Sequence, residues 1–353
     1  MRAYEPLTPM PPFDSPLADA TEGRGHDSDR VLPLVEPARP DALEATASLT
    51  PRRAEPREAP LARSGLVPTG PRDTQMLLTA AQLRCVAYAH LHALVFPDRD
   101  RSVMSRRVSA LSGGGWLTRW SEPTLHGGAP RFVVPTRRGL EWAWPRLEAT
   151  ATSDGLAPLI TLMRPTATRH TLTLRPGERP SWFRHQWEIN ALVVAWRRCP
   201  AIQVRWASSR DQPFPHDVAG VPMPQPDGVL IVEHLGRRTL VLLEHDRGHE
   251  SLAHWQRAKV DRYAALAALP HVATHAFGVE RFMVLVTVLD VLTQHPTRRL
   301  TQLADSAARG GAGDVMAFAL AGAVAADPWT VTWMRAGQQA STTSILEMGH
   351  SAT

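Results

Sequence analysis

Two observations set the fold class at α/β (α+β overall). In the C-terminal half, amphipathic helices alternate with a long apolar hairpin and a further apolar strand, which is the pattern of a mixed sheet covered by helices. In the N-terminal half, a helix, a turn, a second helix and a two-stranded hairpin follow one another, the order of a winged helix-turn-helix. The expected layout is a disordered Pro/Ala/Arg-rich tail over 1–72, a winged helix-turn-helix over 73–150 and a connector over 151–180. An α/β domain over 181–336 and a disordered polar tail over 337–353 complete it.

The tail assignment comes first because it removes residues from the fold. Up to about residue 70 the chain shows neither helical nor strand periodicity, so it buries too little apolar surface to offset its ordering entropy. From Leu77 the pattern changes. LTAAQLRCVAYAHLHALVF places Leu83, Val86, Ala87 and Leu91 at helical spacing, with Thr79 as N-cap. SVMSRRVSALSGGGWL forms a second helix with Val103, Met104, Val108 and Leu111 inward, stopped by the glycine triplet. WLTRW and RFVVPT are strands joined by the turn-rich SEPTLHGGAP, and RRGLEWAWPRL resumes a helix.

In a winged helix, Arg106 and Arg107 lie on the exposed face of the recognition helix, with Arg119 and Arg131 on the hairpin. Guanidinium groups there suit contacts to DNA phosphates or guanine. The alternative is a small helical domain whose arginines are simply solvated.

Beyond the connector, SWFRHQWEINALVVAWRR is an amphipathic helix capped by Ser181, with His185, Glu188 and Leu192 on one stripe. IQVRWAS is an alternating strand, and a proline-rich loop leads to GVLIVEHLGRRTLVLLEHD. The strand RFMVLVTVLD and the helix TRRLTQLADSAARG follow.

The hairpin carries the chemistry. If Leu235–Gly236 is its two-residue loop, His234 faces Arg237 and Asp227 stands opposite Glu244, with Cβ atoms ~5 Å apart. Asp246 points to the same face as Glu244, and His245 to the other. Three carboxylates at one sheet end need a cation, whether proton, Mg²⁺ or ammonium.

The next helix, SLAHWQRAKVDRYAAL, supplies one. Among 39 Lys and Arg residues, Lys259 is the sole lysine, and it shares a stripe with Leu252, Trp255 and Tyr263. A compact ammonium on a packing face needs a partner, and the acidic sheet end is the nearest one. The competing reading is structural: Pro-Asp-Gly is a favoured turn, and Glu244 or Asp246 could cap the following helix or pair with Arg247.

Composition bounds the classes. With 353 residues and 43% apolar content, the chain has room for two globular domains. The start, MRAYEPLTPMPPFD, lacks the apolar core of a secretory signal, and the longest apolar run, VMAFALAGAVAA, is too short to span a bilayer. No membrane partner is expected. Cys85 and Cys199 stand far apart in apolar contexts, which argues against a disulfide framework or a structural zinc site. A cytoplasmic, reducing compartment is expected. The net charge of +5 mildly favours an anionic partner, with nucleic acid the first candidate.

These residues together resemble the replication-relaxation family of plasmid and mobile-element proteins. The resemblance runs through the winged helix, His185-x-x-Glu188, Pro226-Asp227-Gly228, Glu244-x-Asp246-Arg247-Gly248 and Lys259-x-x-x-Tyr263, over roughly residues 75–300. It implies a restriction-endonuclease-like second domain, distantly related to PD-(D/E)xK nucleases, and a role in DNA relaxation before plasmid replication or in conjugative mobilisation. It further implies Asp227 and Glu244 as Mg²⁺ ligands, Glu188 as an outer or third acidic ligand, and Lys259 as the catalytic lysine. The pattern departs at one place: the lysine expected two residues after Glu244 is Asp246. A tyrosine nucleophile is disfavoured, because Tyr263 sits on the packing face and Tyr4 and Tyr88 lack a metal-binding histidine cluster.

The implied partners are double-stranded DNA, a relaxase or replication initiator protein, and a second copy of the chain. A transcriptional regulator whose α/β domain only dimerises or binds a partner is the competing function, and an architectural protein that recruits a relaxase or initiator is a third.

Overall fold

The computed structural model describes residues 68, 70–121, 131–156, 183–209, 217–218, 220–269, 277–279, 281–290, 293 and 295–336. The expected N-terminal tail up to residue 67, the C-terminal tail, the 122–130 turn, Ser181 as a cap and all but the first few residues of the connector lie outside them, whereas Pro71 and Arg72, expected in the tail, are already helical. Among the described residues no helix is long and apolar enough to cross a membrane.

The architecture is mixed α/β. Helix α1 (Pro71–Leu83) opens on proline, which is pre-set for a first helical position. Strand β1 (Val86–Ala87) and helix α2 (Tyr88–Val95) follow it. The single helix expected across this stretch is therefore two, with a strand between them. The break is at Arg84, whose φ of 60° no right-handed helix accommodates. Val86 then pairs with Val133, and the freed carbonyls of Leu83 and Cys85 both accept from the buried Asn190 amide. Thr79 accordingly lies buried inside α1 and caps nothing.

Helix α3 (Arg101–Gly113) is capped by Asp100, which accepts from the Ser102 N–H, and buries Met104, Val108 and Leu111 as expected. The glycine triplet ends it, with Gly115 at φ 74°. Strands β2 (Leu117–Ser121) and β3 (Arg131–Pro135) pair antiparallel and join β1 in a three-stranded sheet of order β1-β3-β2. Helix α4 (Arg137–Ser153) runs on to the start of the expected connector.

The second sheet has six strands. Helix α5 (Phe183–Arg198) precedes β4 (Gln203–Ser209), the two-residue pair β5 (Asp217–Val218) and β6 (Val221–Pro222), and the hairpin β7 (Gly228–His234) and β8 (Arg237–Asp246). The hairpin has the expected register: His234 pairs with Arg237. Leu235 and Gly236 both take positive φ, 49° and 76°, as a type I′ turn requires.

A helical segment crosses over to β9 (Arg281–Val288), which is parallel to β8. Helix α8 (Pro296–Arg309) crosses to β10 (Met316–Leu320), also parallel, and α9 (Ala321–Ala326) leads to β11 (Met334–Arg335). The sheet order is β11-β10-β9-β8-β7-β4. The apolar run VMAFALAGAVAA is thus a buried strand followed by a short helix.

Alternation along the strands sorts the core into two faces. Leu240 and Leu242 pack with Trp255, Val260, Tyr263 and Leu303 on one side. Val241 and Leu243 pack with Ile189, Leu192 and Trp196 of α5 on the other, in a cluster that continues into α1, α2 and α3 through Leu77, Leu91 and Val108. The N-terminal helices therefore share a core with the large sheet. Cys85 and Cys199 are free and buried.

Candidate functional site

The crossover after β8 is not a uniform helix. It consists of α6 (Leu252–Trp255), a π-helical turn (Gln256–Val260) and α7 (Asp261–Ala267). Single π turns inside helices are rare and recur at functional sites. Here the widened turn lets Val260 fill the core at 0% exposure while the neighbouring Lys259 turns to the end of the sheet. Ser251 caps the segment by accepting from the His254 N–H, so neither Glu244 nor Asp246 is needed as a cap.

Asp227 continues the hairpin register one step beyond Gly228. Its N–H donates to the Leu243 carbonyl at 2.8 Å, and its Oδ2 accepts from the His245 N–H at 2.9 Å, which sets it opposite Glu244. Gly228 permits this approach: a Cβ there would lie 3.2 Å from Ile189 Cγ2 on α5. Glu244 is 1% exposed. Its Oε2 accepts from Lys259 Nζ at 2.6 Å and its Oε1 from the Tyr263 hydroxyl. Lys259 Nζ also donates to the Gln225 carbonyl at 2.9 Å. The structure thus brings Asp227, Glu244 and Lys259 together at one end of the sheet, in a cleft of about 160 Å³ also lined by His185, His245, Asp246, Arg247, His249, Glu250 and Trp255.

The other expected site residues have different attachments. Asp246 lines the cleft, but both its oxygens are taken by Arg299 of α8, at 2.7 and 3.0 Å. Glu188 does not join the acidic pair. Its Oε2 lies 2.9 Å from Arg247 Nε and 3.3 Å from His245 Nε2. His185, on the same stripe of α5, reaches Asp227 Oδ1 at 3.0 Å instead. His245 faces away from Glu244, as alternation demands, with Nδ1 2.8 Å from Thr287 Oγ1.

In the N-terminal region, Arg106 of α3 and Arg131 of β3 are exposed, the latter over the Tyr88 ring, and Arg119 of β2 donates to Ser109 Oγ on α3 at 3.2 Å. Arg107 departs from expectation, since its guanidinium is clamped by the buried Asp73 of α1. Arg299, His185 and the Tyr263 hydroxyl were not foreseen as parts of the site. His185 and Tyr263 had local signals, their stripes with Glu188 and Lys259, and Arg299 had none.

Electrostatics separate the paired carboxylates. Burial pushes the Asp227 carboxyl up, but His185, Lys259 and the His245 N–H outweigh it and leave it well below the usual carboxylate range. Burial dominates at Glu244. Lys259 and Tyr263 oppose it, Asp227 reinforces it, and the carboxyl is pushed up to about 7. Burial and the adjacent Glu244 also drive the Tyr263 hydroxyl well above its ordinary value.

Among the described residues no group of three or more His, Cys, Asp and Glu side chains is arranged to hold one metal ion. Glu188, expected as an outer or third acidic ligand, lies against Arg247 and His245. Asp227 and Glu244 still offer the hard oxygens that Mg²⁺ accepts when water and phosphate complete its shell.

A family model described as replication-relaxation matches residues 77–280, more than half of the chain, and the match takes in both the basic three-stranded sheet and the Asp227–Glu244–Lys259 cleft. The chain belongs to the replication-relaxation family. No curated protein and no solved structure matches it.

Proposed function

We propose that this replication-relaxation protein binds duplex DNA of a plasmid or mobile element and hydrolyses a phosphodiester bond in the Asp227–Glu244–Lys259 cleft, in the service of DNA relaxation, replication or mobilisation. Membership of the family supports the biological setting. The reading of the α1–α4 region as a winged helix rests on its order of three helices, a three-stranded antiparallel sheet and a basic face with Arg106, Arg119 and Arg131. The reading of the second domain as PD-(D/E)xK-like is carried by one observation: a lone lysine docks on a buried glutamate directly beside a buried aspartate at the end of a mixed sheet.

In this reading Asp227 and Glu244 would hold Mg²⁺, which when bound supplies Lewis acidity to a phosphoryl oxygen and a more acidic water. Lys259 fixes the orientation of Glu244 and carries positive charge at the edge of the cleft, where a pentacoordinate phosphorus would accumulate negative charge. His185 keeps Asp227 ionised and aimed. Tyr263 remains a protonated hydroxyl donor to Glu244 and is unsuited as a nucleophile.

One observation favours the second reading, a DNA-binding regulator or recruiter with a hydrolytically silent α/β domain. Every oxygen of Asp227 and Glu244 already has a protein partner, and Asp246 stands where a nuclease of this type carries its lysine. A supercoiled-plasmid assay with Mg²⁺ separates the two. Nicking by the wild type, abolished in Asp227→Ala and Lys259→Ala, supports hydrolysis. Wild-type protein that shifts duplex DNA, with affinity falling steeply as salt rises, yet never nicks supports the regulator.

A further inference from the structure

We propose that Arg247, aimed by Glu188, forms a phosphate subsite in the cleft and grips the non-bridging oxygens of a phosphodiester next to Asp227 and Glu244. This rests on the reading of the cleft as a phosphodiester site and assigns Glu188 a positioning role in place of metal ligation.

Two fixed cations line the cleft. Lys259 is committed to Glu244 and the Gln225 carbonyl. Arg247 is engaged only along one edge: its Nε is 2.9 Å from Glu188 Oε2, and among the described residues its terminal nitrogens meet no polar partner. A guanidinium offers five N–H donors in a rigid fork matched to phosphate oxygens. This ion-pair contact keeps one edge of the group against the Glu188 carboxylate and leaves the paired terminal nitrogens for a ligand. The side chain is 19% exposed, open to the cleft yet largely desolvated, where such a contact gains strength.

The backbone fixes the position of Arg247. It leaves β8 immediately before Gly248, which has φ 78° and would place a Cβ 3.0 Å from Thr293 Oγ1, so the chain turns sharply at that point. A second observation points to a missing ligand. The buried atoms His185 Nε2, Glu188 Oε2, His245 Nε2 and Arg247 Nε all lie within ion-pair range of one another or of Asp227, but none has a well-aligned hydrogen bond. Polar groups of a working site often align only when substrate completes the network. The exposed His249 lines the same cleft and adds a further donor.

The test is a titration of inorganic phosphate with the full-length protein at low salt, followed by ³¹P line broadening, with plasmid nicking measured separately. Saturable binding by the wild type is expected, weakened about tenfold or more in Arg247→Ala and less in Arg247→Lys, which keeps the charge but loses the fork. Glu188→Gln retains an acceptor for Nε and should bind more tightly than Glu188→Ala, a difference that a purely structural role would not produce. Arg137→Ala, which removes an exposed arginine paired with Glu141 on α4, should bind as the wild type does.

No saturable binding by the wild type, or equal binding by the wild type and a folded Arg247→Lys, overturns the subsite. Arg247-dependent phosphate binding without any nicking keeps the subsite and removes the hydrolytic reading.

Discussion

Lys259 Nζ sits 2.6 Å from Glu244 Oε2, and both side chains are withdrawn from solvent, at 12% and 2% exposure. Removing one member of a buried ion pair strands the other. Here the stranded group has an escape, because Glu244 already has its carboxyl pushed up to about 7 and can take a proton. Lys259→Met should therefore cost about 1–3 kcal/mol at pH 8, where protonating Glu244 is itself unfavourable, and distinctly less at pH 5.5. Urea denaturation at the two pH values checks this. A loss of equal size at both would mean that Glu244 is not the partner that matters.

The same carboxyl governs how stability depends on pH. A folded-state pKa raised above the ordinary value means that the folded protein holds a proton the unfolded chain releases between about 4.5 and 7. That contribution is complete below the lower value and is lost as pH rises through the upper one. The melting temperature should fall by several degrees from pH 5 to pH 7.5, and the fall should shrink in Glu244→Gln, which is neutral throughout. Asp227 has the opposite sign: its depressed pKa gives stability that disappears only in acid, as pH drops below the ordinary carboxylate range.

Arg106 and Arg107 are neighbours in sequence with different roles. Arg107 clamps Asp73, which is 2% exposed, and so ties α1 to α3, whereas Arg106 is open. Arg107→Ala should destabilise the protein by about 1–2 kcal/mol, a figure reduced because the guanidinium itself is 41% exposed. Arg106→Ala should leave the melting temperature unchanged and lower duplex affinity and its salt slope. Thermal melts and gel shifts on both variants, run in parallel, decide the assignment. Equal melting temperatures would remove the structural role of Arg107.

These contrasts mark what the sequence could reveal. The hairpin was legible because a two-residue turn and strict alternation fix every pair from His234–Arg237 back to Asp227–Glu244. Lys259 was legible because its stripe with Trp255 and Tyr263 faces the core. The Asp73–Arg107 and Asp246–Arg299 pairs join residues 34 and 53 positions apart, through helix packing that no local pattern encodes. The break at Arg84 was hidden for a similar reason. Its cost is met by Asn190, more than a hundred residues away, while the surrounding residues keep a helical pattern. The π turn was invisible because a single widened turn leaves the i, i+4 spacing of Trp255, Lys259 and Tyr263 intact.

That π turn rests against the end of α8, where Gly310 leaves no room for a side chain. A Cβ there would lie 2.4 Å from both Val260 Cγ1 and Gln256 Nε2. The glutamine amide can swing aside, but Val260 is wedged in the core at 0% exposure and can yield only by moving the turn that carries Lys259. Gly310 itself has an ordinary negative φ of −84°, so alanine brings no backbone strain and the effect is purely one of space. Gly310→Ala should cost about 1–3 kcal/mol, as overpacking does. It should also loosen the contact between Lys259 and Glu244, and so reduce the stability difference between the Gly310→Ala protein and its Lys259→Met double variant below that between wild type and Lys259→Met. Full additivity of the two substitutions in a denaturation cycle would mean that the turn and the ion pair are not mechanically linked.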